Sequence, residues 1–237
     1  NLKSNVYKQL IDTIDPNVTI QWSETNVTNK AVTFNIRFSE PVSGFTLADI
    51  TIKNIKSGSE VFSGSDSYYT LSVEPKEDFE GDISVFVPKD VAVDIAGNSN
   101  NESNVTATQK VDTIEPTILS ITGGSTTVVT TKETNFTITF SEDVVGFSKF
   151  DLNITNATSA TVYPTATNDV YIVGLTPVKN VNGNMTISIP AGVVEDIAGN
   201  ENNGSTIVGI QAIKDVSSTL TVTIEDGDDN LSVTSKD

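Results

Sequence analysis

The residues of this 237-residue chain best suited to chemistry are its carboxylates: 31 Asp and Glu against 14 Lys and Arg, a net charge of -17. Some of them recur at matched places along the chain. Asp12, Asp15, Glu40, Asp94 and Asn98 are followed by Asp112, Glu115, Glu142, Asp196 and Asn200. Oxygen donors of this kind suit a hard cation. Calcium takes roughly six to eight oxygen ligands, and backbone carbonyls or water complete such a shell. Magnesium fits less well, because it usually keeps several waters. A second reading needs no metal. Asp94 and Asp196 would cap a turn through their own backbone, Gly97 and Gly199 would supply positive φ there, and Glu40 and Glu142 would accept backbone amides.

Other chemistries lack their residues. The chain has no Cys and no His, which removes thiolate and imidazole zinc sites, Cys nucleophiles and a Ser-His-Asp triad. It also removes disulfides, so rigidity has to come from elsewhere, and bound metal is one source. Nothing singles out a carboxylate pair for glycoside hydrolysis. A catalytic site is expected once, in a cleft, whereas these acids occur twice, so no enzyme activity is expected. The acidic field repels nucleic acid and anionic membrane. No apolar run approaches the roughly 20 residues that span a bilayer, so no membrane insertion is expected in this segment.

The recurrence extends well beyond the acids. Phe34, Ile36, Phe38, Ser39, Glu40, Val42, Gly44 and Phe45 return as Phe136, Ile138, Phe140, Ser141, Glu142, Val144, Gly146 and Phe147. Asp49, Tyr69, Pro75 and Pro88 return as Asp151, Tyr171, Pro177 and Pro190, and the run from Asp94 to Asn98 returns from Asp196 to Asn200, all without insertion. The repeat is about 100 residues long, the size of one sandwich domain.

Within each repeat the apolar period is two. Phe34, Ile36 and Phe38 alternate with Thr33, Asn35 and Arg37, as half-buried antiparallel strands require. Turn clusters stand at Lys56–Ser59, Glu80–Asp82 and Asn182–Asn184. No helical pattern is evident. In the first repeat the pattern predicts strands near 17–22, 31–39 and 45–56, a hairpin across 60–75, and strands at 82–88 and 103–111. The expected fold is all-β: tandem seven-stranded immunoglobulin-like β-sandwiches arranged as a rod.

The expected boundaries are a first repeat at 12–111 and a second at 112–214. Residues 1–11 read as the last strand of a preceding repeat, and 215–237 as the first strand of a following one. In this topology the entry segment, the loop after the second strand and the loop before the last strand share one pole. The recurring acids all fall there. That pole of the second repeat is expected to face Glu24, Glu77 and Asp78 of the first, where a cation would fix the angle between domains. Residues 225–230, rich in Asp, read as the matching loop of a further repeat and resemble an EF-hand only superficially.

The ordered set of Asp12-Thr13-Ile14-Asp15-Pro16, Phe38-Ser39-Glu40, Gly44-Phe45, Asp49, Pro88 and Asp94-Ile95-Ala96-Gly97-Asn98 resembles the bacterial Ig-like domains of large surface adhesins. Both full repeats share in the match. The resemblance implies extracellular tandem arrays that serve as stalk modules, some with calcium at domain junctions. Lys89 and Asp90 depart from the more typical Ala191 and Gly192 at one turn.

The leading expectation is therefore a structural spacer of a cell-surface or secreted adhesin or fibre, stiffened by calcium, with neighbouring repeats as its partners. Two alternatives stand beside it: a module that binds a glycan or protein receptor, and a fibre subunit that assembles by strand exchange through its terminal strands. A receptor site would form a patch in one repeat alone, and the stretch 60–67 against 160–167 diverges most. Trp22, Tyr68 and Tyr69 are aromatic enough for a sugar platform, but strand aromatics usually serve packing. Ten Asn-x-Ser/Thr sequons occur, among them Asn17, Asn101, Asn153 and Asn203, so glycosylation enters if the host supplies it.

Overall fold

The computed structural model describes residues 11–22, 26–129 and 131–214, together with the backbone of two short strands, 220–223 and 232–235. Glu24 and the stretches 1–10 and 225–230, each singled out above, lie outside the described residues. The chain forms two compact units whose main division falls between Ile114 and Glu115.

The first unit has seven strands: β1 (Val18–Trp22), β2 (Val32–Phe38), β3 (Thr51–Lys53), β4 (Val61–Ser65), β5 (Tyr68–Val73), β6 (Glu80–Phe86) and β7 (Ala107–Asp112). One sheet runs in the order β1-β2-β5-β4 and the other in the order β3-β6-β7. These are the two sheets of an immunoglobulin sandwich, with the strands called A, B, E, D and C, F, G. Every pairing within the sheets is antiparallel.

Alternation decides which face is buried. Phe34, Ile36 and Phe38 are almost wholly buried, as are Leu71 and Val73 on β5 and Ile83 and Val85 on β6. Register then aligns them: Phe34 lies opposite Leu71, and Ile36 lies between Ile20 and Tyr69. Each large apolar side chain buried this way contributes about 1.5–3 kcal/mol. Phe38, Phe45 and Tyr69 meet edge to face at 5.0–6.0 Å and close one end of this core.

The second unit repeats the plan with β8 (Ile118–Gly123), β9 (Thr134–Phe140), β10 (Asn153–Thr155), β11 (Ala157–Pro164), β12 (Val170–Pro177), β13 (Gly183–Ser188) and β14 (Gly209–Ile213). Its sheets run β8-β9-β12-β11 and β10-β13-β14. Its core holds Phe136, Ile138, Phe140, Leu175, Met185 and Ile187. Further along, β15 (Leu220–Thr223) pairs with β16 (Ser232–Ser235) as an antiparallel ribbon.

Three sequence expectations change. The single strand over 45–56 is a 3-10 turn at Leu47–Asp49 followed by the short β3, which ends where Asn54 takes a φ of 63°. Asp49 explains the turn: its Oδ2 accepts the Thr46 backbone N–H and hydroxyl, both at 2.7 Å. Asp151 does the same for Ser148. The turn expected at Glu80–Asp82 belongs to β6, because Gly81 keeps its pairing with Val111. The last strand starts only at Ala107, since Ser103 turns inward and bonds Val87 through its backbone N–H and its hydroxyl. The departure at Asp90 leaves the turn intact: Asp90 has a φ of 63° and Gly192 one of 68°. Asp tolerates this left-handed region better than most residues.

Candidate functional site

Three segments of the first repeat converge at one pole, and backbone hydrogen bonds hold them there. The entry segment is fastened to the loop after β2 by the Ser39 N–H, which donates to Asn17 O at 2.8 Å. That loop is fastened to the loop before β7 by a reciprocal pair between Ser43 and Val93, at 2.7 and 3.0 Å. The same long loop returns to the entry segment where the Asn101 N–H donates to Pro16 O at 2.9 Å. Each segment carries one carboxylate to the meeting point. Asp12, Glu40 and Asp94 each offer an oxygen there, and those oxygens all lie within 4.8 Å of one another.

Asp94 is the best anchored of the three and is only 5% exposed. Its Oδ1 accepts the backbone N–H groups of Ala96 and Asn98, both at 2.8 Å, and its Oδ2 accepts the Asn98 side-chain amide at 2.8 Å. Gly97 completes this turn at a φ of 94°, which a side chain would strain. The Asn98 amide also donates to the backbone carbonyl of Asp12 at 3.3 Å, which ties the turn to the entry segment. The Asp12 Oδ1 accepts the Ile14 N–H at 3.1 Å.

Burial works against ionising Asp94, but the hydrogen bonds from Asn98, Gly97 and Ala96 outweigh it and hold the carboxyl below its ordinary range. Glu40 behaves in the opposite way. Burial, then the nearby charges of Asp12 and Asp94, push its carboxyl above the ordinary range, and no hydrogen bond is among the causes. The turn-capping role foreseen for Asp94 is therefore present, whereas nothing acting on Glu40 comes from a backbone amide. Crowded carboxylates of this kind gain most from a cation among them. An all-oxygen donor set suits calcium rather than zinc.

The corresponding trio along the chain is Asp112, Glu142 and Asp196. Asp112 and Asp196 are 9% and 2% exposed. The Asn200 amide donates to the backbone carbonyl of Asp112 at 3.0 Å, as Asn98 does to Asp12. Gly199 has a φ of 89°. Asp15 and Glu115, expected among the ligands, are exposed and belong to neither trio. Glu77 is paired with Lys56, whose Nζ lies 2.9 Å away.

Four buried polar residues escaped the sequence reading. The Asn100 Oδ1 accepts the N–H groups of Val91 and Ala92, and its amide donates to the carbonyls of Pro88 and Asn101. Asn202 makes the same four contacts with Val193, Val194, Pro190 and Asn203. Each Asn holds the loop that carries a trio Asp. Gln109 bonds the carbonyls of Asn26 and Lys110, and Gln211 those of Thr127 and Ala212. Their recurrence between repeats was the available signal, masked by the many exposed Asn residues around them.

The aromatics considered for a sugar platform do not form one. Tyr69 is buried, and Trp22 is half-buried against the core beside Phe34. Tyr68 is exposed and donates its hydroxyl to Asn35. The sequon residues Asn17, Asn101, Asn153 and Asn203 are all exposed. Among the described residues, no helix is long and apolar enough to cross a membrane.

Among solved structures, the I9-I11 tandem from titin is similar, with 9% identity and a TM-score of 0.38 over 86% of this chain and 68% of that one. No curated protein sequence matches the chain. The sequence profile described as bacterial Ig-like domain matches twice, at residues 12–111 and at 112–213. The two sandwiches, the repeated loop chemistry and this double match together place the chain in the bacterial Ig-like domain family, as a tandem of two such domains.

Proposed function

We propose that these repeats are structural spacer modules of an extracellular protein, a cell-surface or secreted adhesin or fibre, and that calcium held by the acidic poles stiffens the links between successive repeats. The observation that carries this reading is that the carboxylates of the Asp12, Glu40 and Asp94 trio recur along the chain as Asp112, Glu142 and Asp196. A binding or catalytic centre would need only one copy, whereas a mechanical element is needed at every link. The chain contributes the ligands Asp12, Glu40 and Asp94, and Asp112, Glu142 and Asp196, while Asn98 and Asn200 orient the segments that carry them. The net charge of -17 keeps such an array soluble and raises the local concentration of cations.

Thermal melting in chelator and again in millimolar calcium tests this reading. At about 100 times Kd, linkage adds roughly 2.7 kcal/mol per site. For domains of this size the melting temperature rises by on the order of 10 °C. The rise should shrink in Glu40→Gln and again in Glu142→Gln, variants that leave the Asp94 and Asp196 turns untouched. Identical melts in calcium and chelator would leave the sandwich fold standing and remove calcium from it.

A further inference from the structure

The two repeats differ most where the edge strand of the larger sheet meets the 3-10 turn, and there one sandwich is closed and the other open. In the first repeat Phe62 on β4 lies flat on Tyr69, with ring centroids 5.6 Å apart and planes 4° apart, and meets Phe45 edge-on at 5.7 Å. Leu47 packs against the same core. Strand register identifies the counterparts in the second repeat. Phe62 opposes Leu71, two residues beyond Tyr69, and Val162 opposes Val173, two residues beyond Tyr171. Val162 thus stands where Phe62 stands, and Lys149 and Phe150 replace Leu47 and Ala48.

Removing that ring leaves space beside aromatics that have not changed. Phe147 and Tyr171 remain in contact, at 4.7 Å. Beside them opens a cleft of about 510 Å³, lined by Phe147, Phe150, Ala160, Val162, Pro164 and Tyr171 together with the turn residues. Phe150 stands at its rim, 85% exposed, with the Lys149 ammonium 5.2 Å from the centre of its ring. The one charged side chain lining the cleft is Lys149. Asp151 ends the turn below Phe150.

We propose that this cleft of the second repeat binds an aromatic side chain presented by a partner polypeptide. The ring takes the space that Phe62 fills in the first repeat, stacking on Tyr171 against Phe147, and Phe150 folds over its outer face. Offset or edge-to-face aromatic contacts of this kind favour a flat apolar ring over an aliphatic chain.

The test is a nitrogen-15 NMR titration of the full chain with the peptide acetyl-Lys-Phe-Lys-amide, with acetyl-Lys-Ala-Lys-amide and methyl glucoside as comparison probes. Saturable shifts confined to residues 147–150 and 160–171 are expected from the Phe peptide alone. Phe150→Ala, at an exposed position, should weaken binding by about tenfold without lowering the melting temperature. Val162→Phe should abolish binding by supplying the ring from within. The reciprocal pair Leu47→Lys with Phe62→Val should create a second site reported by residues near Phe45 and Tyr69. Shifts from the glucoside and none from the Phe peptide would overturn the proposal in favour of a sugar site. Equal binding of the Ala peptide, or binding unchanged in Phe150→Ala, would overturn it as well. Neither outcome bears on the calcium melts.

Discussion

At the scale of the residue, the trio of the first repeat sets two carboxylates against each other. Asp94 has its negative charge supported by neighbouring N–H groups, whereas Glu40 sits in partial burial beside two other acids with no such support. The folded state therefore holds a proton on Glu40 more tightly than the unfolded chain does. Without metal, stability is greatest below the ordinary Glu range and falls as pH rises through the raised folded value. Asp94 contributes in the other direction: its stabilisation is complete above the ordinary Asp range and is lost as pH falls through the lowered folded value. Two results follow for Glu40→Gln. In chelator at pH 7 it should melt above the parent chain, because a repulsive charge is gone, and the fall in stability as pH rises above the ordinary Glu range should flatten. In calcium it should melt below the parent chain. Paired scanning calorimetry across pH, with and without calcium, reads both.

At the scale of the element, the long loop before the last strand is what delivers Asp94, and buried hydrogen bonds rather than apolar packing fix its path. Asn100 satisfies two N–H groups and two carbonyls while only 1% exposed. Asn100→Ala strands those four groups, each at about 1–3 kcal/mol where water cannot reach it, and should show a lowered denaturation midpoint. Asn202→Ala should cost about the same in the second repeat. A core truncation has a different cause and a larger effect. Phe34→Ala removes a fully buried ring and should cost about 3–5 kcal/mol, with no change in the calcium-induced shift for molecules still folded. The sheet elements were readable because alternation reports burial directly. The loop elements were not, because Asn100 and Ser103 in a stretch rich in Asn and Ser look like solvent-exposed turn residues until their partners are known.

At the scale of the whole molecule, duplication is the feature that gives the acids meaning. A spacer has to resist bending at each link, and a site repeated once per domain meets that need. If calcium stiffens the array, small-angle scattering of the chain should show a larger maximum dimension and a sharper distance distribution in calcium than in chelator, and Glu142→Gln should lose much of that difference. The measurement belongs at moderate salt, because with a net charge of -17 self-repulsion extends the metal-free chain at low ionic strength.

The sequence by itself determined the repeat, the period of two, the sandwich and the identity of the recurring acids, because each of these is a property of order along the chain. It could also point to 160–167 as the stretch where the repeats part company. Only the tertiary structure decided which acids meet. Asp12, Glu40 and Asp94 come from three segments separated by tens of residues, and the backbone bonds among Asn17, Ser39, Ser43, Val93 and Asn101 bring them together. Asp15 has the same chemistry and lies within three residues of Asp12, yet it is outside the trio. The open cleft beside Tyr171 likewise depended on register: Val162 rather than Pro164 replaces Phe62, although Pro164 is the residue at the constant spacing, because β11 pairs with β12 in a shifted register. Linear spacing records which residues recur, and sheet register and loop hydrogen bonds set which of them touch.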